Sequence, residues 1–269
     1  LSLIIVVSDL LARIKTDQDR KKYFWIALTL TGVVCLLIVS SNLSTVILIG
    51  AVVLVLMFLA RIPWKWLMAI VGTALLVLVC GYLFVEHVYV KEGKEMSGPF
   101  KRATVWVGRI DNMIEGHKAD KQDTTIRVTD DNYQSTMAQV AVARGGQSPF
   151  GAGPGNSVMR NKLPLAFMDF IFAIIVEETG IVGAVFLIIL YMSILCRACI
   201  ATSRYADYSA LLMVMGLAIM LTTQAFISMA VAVGLGPVTG QPLPLISKGG
   251  TSILTTCFYF GIMMSVCRE

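Results

Sequence analysis

An aspartate stands at the mouth of an apolar helix in Leu163-Pro-Leu-Ala-Phe-Met-Asp169-Phe-Ile-Phe-Ala-Ile-Ile. A carboxylate entering hydrocarbon costs roughly 2.5 kcal/mol or more, so a chain that keeps one there uses it for chemistry, transport or a structural pair. Just upstream runs Phe150-Gly-Ala-Gly153-Pro-Gly155-Asn-Ser-Val, followed by Arg160 and Lys162. Closely spaced glycines let consecutive backbone N–H groups converge on an anion, and nearby basic side chains add charge. The same string also reads as a flexible re-entrant turn with solvated basic residues. A second block, Gly234-Leu-Gly236-Pro237-Val-Thr-Gly240-Gln-Pro242-Leu-Pro244-Leu-Ile-Ser247-Lys248-Gly249-Gly250, carries too much proline and glycine for a continuous helix. Such backbone at membrane depth needs protein or water to satisfy its polar groups, so it forms a re-entrant or lip-like loop. Lys248 is a cation either held beside that lip or facing lipid headgroups.

The elements that must position these residues are membrane helices. The chain is 57% hydrophobic and 14% charged, with a mean hydropathy of +0.77, far too apolar for a soluble domain of its length. Tyr23 to Ala60 carries no charged residue and is about twice the ~20 positions that one spanning helix needs. It must fold back, and Ser40-Ser41-Asn42 is the polar hinge, with Asn42 or Ser41 placed to cap the second helix. Further uncharged spans are expected over Trp66 to Val85, Asp169 to Leu195, Ser209 to Val233 and Gly249 to Cys267. Leu1 to Ala12 is too short to cross and reads as the end of a helix that starts upstream. The fold class is therefore all-α: a single polytopic membrane domain over residues 1–269, with about six full transmembrane helices, a partial N-terminal one and one large external loop at residues 86–168.

Arg13, Lys15, Arg20, Lys21, Lys22, Arg61, Lys65, Arg197, Arg204 and Arg268 fall on one side when spans are counted forward, and the opposite hinge at Ser40 to Asn42 has no basic residue. The positive-inside rule makes the basic side cytoplasmic. The net charge of +5 then reports topology rather than nucleic-acid binding. Cys196-Arg-Ala-Cys199 has metal or redox spacing, but no second pair exists, and His87 and His117 lie across the membrane, so no metal-ligand set is assigned. Within the external loop, Asp130-Asp131-Asn-Tyr133-Gln134 opens a short helix with Met137, Val140 and Ala141 on one side, ended by Gly145-Gly146.

The strings Pro237-Val-Thr-Gly240, Leu243-Pro244, Ser247-x-Gly249-Gly250-x-Ser252, Leu163-Pro164, Asp169-Phe-Ile-Phe and Glu177-Glu178-x-Gly180 resemble the SEDS proteins (shape, elongation, division and sporulation) in both order and spacing. Tyr133-Gln134, Gly145-Gly146 and Asn42-Leu-Ser-Thr45 also fall where that family's patterns lie. Gly155-Asn-Ser-Val158 and Arg102-x-Thr104-x-Trp106 look more like its division branch than its elongation branch. The resemblance implies further spans upstream of Leu1. It departs from the family at Leu165, Phe167, Met168, Lys248 and Ser228, where an acid, His, Thr, Tyr and Asn are usual. The apolar neighbours leave Asp169 in drier surroundings.

The resemblance implies a peptidoglycan glycosyltransferase that polymerises lipid II, a disaccharide-pentapeptide on a polyprenyl pyrophosphate, at the outer face of the bacterial cytoplasmic membrane. Implied partners are a class B penicillin-binding transpeptidase and other division proteins. Asp169 would be the general base for the attacking sugar hydroxyl, or a ligand for a divalent cation, Mg or Mn, on the pyrophosphate. Arg102, matching a family string, is the first candidate for the pyrophosphate, with Arg109, Arg144, Arg160, Lys162 and Lys248 as positional candidates and Gln134 and Ser247 as polar substrate contacts. Glu177 lies about 80° round the helix from Asp169 and either lines the same cavity or pairs structurally. Intramembrane acids and broken loops would equally serve a flippase for a lipid-linked sugar, and a non-catalytic scaffold is the third reading.

Overall fold

The computed structural model describes residues 1–39, 42–85, 133–161, 167–202 and 207–267. Regular structure among the described residues is helical: α1 (Ser2–Ala12), α2 (Asp17–Val39), α3 (Leu43–Leu59), α4 (Trp64–Val85), α5 (Tyr133–Gly145), a 3₁₀ turn (Met159–Asn161), α6 (Ile171–Thr202), α7 (Tyr208–Ala232) and α8 (Gly250–Val266). Four of these, α2, α4, α6 and α7, are long and apolar enough to cross a bilayer, and α3 and α8 are apolar helices of 17 residues. Leu36, Leu76 and Phe186 are exposed, a pattern that suits hydrocarbon rather than water. The protein is a polytopic membrane protein.

The described contacts group into two compact units, Leu1–Asp111 with Ala201–Met220, and Asn112–Ile200 with Leu221–Glu269. In the first, α1 packs on α2 and α3, and α3 on α4. Ile4, Val7 and Leu11 of α1 and Leu48, Val52 and Leu56 of α3 are fully enclosed. Gly216 of α7 lets Ile4 and Leu56 approach its backbone closely, the use of a small residue expected where helices touch inside a membrane. The hinge resolves as the sequence suggests at Asn42, whose Oδ1 accepts from Thr45 N–H at 3.4 Å and from Ser44 Oγ at 2.8 Å; Ser40 and Ser41 lie outside the described residues.

The C-terminus of α3 is a Schellman turn. Ile62 N–H donates to Met57 C=O at 3.1 Å and Arg61 N–H to Phe58 C=O at 3.0 Å, while Met57 and Ile62 are both buried and Pro63 follows. The residue one past the cap in this motif is left-handed and usually glycine. Here it is Arg61, at φ 57°. A side chain in that conformation costs roughly 1–2 kcal/mol, offset in part because glycine would lose more entropy on folding.

Arg61→Gly is therefore expected to leave stability unchanged or raised by up to about 1 kcal/mol, whereas the β-branched Arg61→Val lowers it. Thermal unfolding in detergent free of anionic phospholipid measures both. A clear loss in Arg61→Gly would contradict the turn assignment.

Candidate active site

The second unit is organised by a break in α6. Gly180 interrupts the helix with φ 69° and ψ −161°, so the expected span from Asp169 to Leu195 is a stub, residues 171–179, followed by a long arm, residues 181–202. Gly180 is the break itself, a backbone conformation that glycine alone adopts without strain.

A break strands backbone groups, and the glycine loop supplies their partners. In an unbroken helix the carbonyls of Glu177 and Glu178 would accept from the N–H groups four residues on. Instead they accept from Ala152 N–H and Gly153 N–H, each at 2.9 Å, and Val182 N–H donates to Pro149 C=O at 3.2 Å. The approach is so close that a Cβ on Gly151 would overlap the backbone of Gly180, and one on Gly145 would overlap the Val176 carbonyl. α5 therefore faces the core with small residues, Thr136, Ala138, Ala141 and Gly145. The face expected from spacing held Ala141 correctly, but Met137 and Val140 are only half-buried.

The anion that gathers this loop belongs to the protein. Glu177 is 1% exposed and its carboxylate accepts from Ser157 Oγ–H at 2.5 Å, Val158 N–H at 3.2 Å and Met159 N–H at 3.3 Å. The guanidinium of Arg144 lies 3.7 Å away. Ser157 Oγ in turn accepts from Arg160 N–H at 3.0 Å. These are the convergent donors that the sequence offered for a phosphate, and a side chain twenty positions downstream takes them. Burying a carboxylate is tolerable only with such partners.

Asp169 is set differently. It lies half-buried in a turn before α6, not inside the helix, and the proline-glycine lip is bonded to that turn. Ser247 Oγ–H donates to Met168 C=O at 2.6 Å and Lys248 N–H to Phe167 C=O at 2.9 Å. Ser247 is itself fixed by accepting from Leu243 N–H at 2.7 Å. The lip is tied further by Gln224 Nε2 to Pro242 C=O at 3.1 Å and by the Tyr191 hydroxyl to Pro244 C=O at 2.5 Å. Its sharpest point is Leu245, at φ 68°. Gly240 neighbours the Asp169 carboxylate, since a Cβ there would lie at contact distance, 3.9 Å, from Oδ2.

The remaining candidates separate by place. Arg160 is exposed and stacks over the Phe167 ring at 5.0 Å, and Lys248 is exposed beside the same turn. Arg144 faces Glu177. Ser247 is buried and its hydroxyl is engaged with the backbone. Gln134 is half-buried on the first turn of α5. Arg102, Arg109 and Lys162 lie outside the described residues. Phe167 and Met168 are 39% and 44% exposed and give the turn an apolar rim. Glu177 was left undecided by sequence because its partners lie far away along the chain; the only signal was an acid in an apolar stretch downstream of a Gly-rich, serine-containing loop.

No group of three or more His, Cys, Asp or Glu side chains gathers among the described residues. With Glu177 enclosed by its own donors, Asp169 offers a single carboxylate. A divalent cation on it would take its other ligands from phosphate oxygens and water, the habit of Mg.

The profile of a family described as cell cycle protein, covering FtsW, RodA and SpoVE, matches residues 1–269. The chain belongs to the FtsW/RodA/SpoVE family. Its relatives include proteins named probable peptidoglycan glycosyltransferase FtsW. The one from Saccharophagus degradans is 43% identical over 143 residues, 52% of this chain and 36% of its own length. Those from Legionella pneumophila and Caulobacter vibrioides are 30% and 28% identical over 87% and 88% of this chain, in each case 53% of their own length. The chain thus spans between about a third and a half of the length of these FtsW relatives. A solved structure described as "Structural coordination of polymerization and crosslinking by a peptidoglycan synthase complex" superimposes with a TM-score of 0.66 at 24% identity, covering 99% of this chain and 67% of the other. That likeness shows a shared fold for this member of the FtsW/RodA/SpoVE family.

Because one carboxylate fastens the loop, Glu177→Gln is expected to lower stability by about 1–3 kcal/mol and to speed hydrogen exchange across residues 150–160. Glu178→Gln, whose part in the loop is played by its backbone carbonyl, should leave both unchanged. Equal losses in the two variants would contradict the assignment.

Proposed function

We propose that the protein is a peptidoglycan glycosyltransferase that polymerises lipid II at the outer face of the bacterial cytoplasmic membrane during cell division. The naming of its relatives supports the reaction class. The observation that carries the residue assignment is the half-buried Asp169, on a turn bonded to a rigid lip through Ser247 and Lys248. Glu177 is buried and its carboxylate accepts from Ser157, Val158 and Met159, which gives it a structural part in the loop.

In this reading the acceptor sugar hydroxyl attacks the anomeric carbon of the donor sugar, the C–O bond to the pyrophosphate breaks, and the polyprenyl pyrophosphate leaves. Asp169 takes the hydroxyl proton, or holds a divalent cation that would offset charge on the leaving group. Arg160 and Lys248, both exposed against the Phe167–Asp169 turn, bind the pyrophosphate, together with Arg102, which the family string favours. The lip keeps the carboxylate in place, so little reorganisation is needed when charge develops. A class B penicillin-binding transpeptidase and other division proteins are the proposed partners, and the division site is the proposed location.

The test uses the full-length protein with its transpeptidase partner in detergent and labelled lipid II. Asp169→Asn should reduce glycan polymer by roughly 10²- to 10⁴-fold while the thermal midpoint stays near wild type. Undiminished polymer from that variant would remove Asp169 from the chemistry. Transbilayer movement of lipid II in vesicles without polymer would assign a flippase instead.

A further inference from the structure

The first unit contains a cavity that the proposed reaction does not use. It measures about 350 Å³ and is lined by Leu11, Ile14, Arg20, Ala60, Arg61 and Tyr208. Two guanidinium groups, a phenol and an apolar wall therefore share one space. Several observations mark it as built for an anion. Arg20 pairs through Nη1 with Asp17 at 2.9 Å, yet its Nε is buried without a hydrogen-bond acceptor. A buried guanidinium N–H left without an acceptor is costly, so the ion pair with Asp17 does not fully satisfy Arg20. Arg61 occupies the left-handed position of the α3 Schellman turn, where glycine is the unstrained choice. Strain kept at a charged side chain that faces a cavity points to use of that side chain.

The surroundings say which anion. The cavity lies where the ends of α2, α3, α4 and α7 meet: Tyr208 at the start of α7 donates its hydroxyl to Leu59 C=O at the end of α3, at 2.8 Å, and Phe24 near the start of α2 packs on Trp66 near the start of α4, with ring centroids 4.9 Å apart. Trp25 and Trp64 are 59% and 63% exposed at this same end, as tryptophans are at a bilayer interface. Lys15, Lys21, Lys22 and Lys65 belong to the same helix ends in sequence, with Asp19 and Asp207 of opposite sign among them, and Arg13 is paired with Asp9 at 2.8 Å. Basic pockets between spanning helices at an interface suit lipid phosphates.

We propose that this cavity seats the phosphate of an anionic phospholipid, held by Arg61 and Arg20, with the apolar part of the lipid against Ile14. A free inorganic phosphate would satisfy the guanidinium groups but make no use of the apolar wall or the exposed tryptophans. The bound lipid would brace the ends of α2, α3 and α7, separately from any chemistry at Asp169.

The test reconstitutes the full-length protein in phosphatidylcholine nanodiscs, with and without a phosphatidylglycerol fraction, and reads the thermal midpoint. Wild type should shift upward with phosphatidylglycerol. Arg61→Gly, which keeps the turn, and Arg20→Gln should each lose more than half of that shift, and Lys65→Gln, whose charge lies outside the cavity, should retain it. Inorganic phosphate added to phosphatidylcholine discs should produce no shift. The proposal is overturned if Arg61→Gly shifts as far as wild type, if Lys65→Gln loses as much as Arg61→Gly, or if inorganic phosphate reproduces the effect.

Discussion

A helix broken inside an apolar protein must find partners for the backbone groups that the break releases, and that requirement organises the second unit. At Gly180 the released carbonyls of Glu177 and Glu178 and the N–H of Val182 are all taken up by the glycine loop. The exchange is reciprocal, since the loop's own N–H groups would otherwise be stranded too. Water cannot make good such losses in hydrocarbon, so loop and break are best understood as one element. The Glu177 carboxylate adds a side-chain fastening a few residues further along the same loop.

This division of labour separates two acids that lie on one short stretch of chain. Glu177 is surrounded by donors and holds structure; Asp169 lies half-buried in a turn braced by the lip. Ser247 and Lys248 reach that turn through backbone-directed bonds, so the side chain of Lys248 remains at the rim. The Phe167 ring carries Arg160 above it, and Lys248 stands exposed beside the same turn, so positive charge is brought to it.

Much of this was legible in the sequence. Uncharged length fixed the helices, because hydrocarbon thickness and helix rise leave few alternatives. Asn42 could be read as a cap because capping is local. The proline-glycine lip was readable as non-helical for the same reason, and its match to a family motif placed Asp169 near it. The glycine loop stays open in sequence between an anion cradle and a re-entrant turn, because glycines reveal that N–H groups are free to converge but not which anion they meet. That anion was Glu177, twenty positions from Ser157 and more than thirty from Arg144. Hydropathy likewise passed over Gly180, since a left-handed residue in an apolar run leaves the apolar count unchanged.

The claim that one buried carboxylate fastens the loop to the broken helix is tested most directly by a double-mutant cycle between Ser157→Ala and Glu177→Gln, read as unfolding free energy. Residues in one hydrogen-bond network couple by about 0.5–3 kcal/mol, and the account predicts a coupling energy within that range, with the double variant less destabilised than the sum of the single ones. Additive losses, within about 0.3–0.5 kcal/mol, would mean that Ser157 and Glu177 act independently and would contradict it.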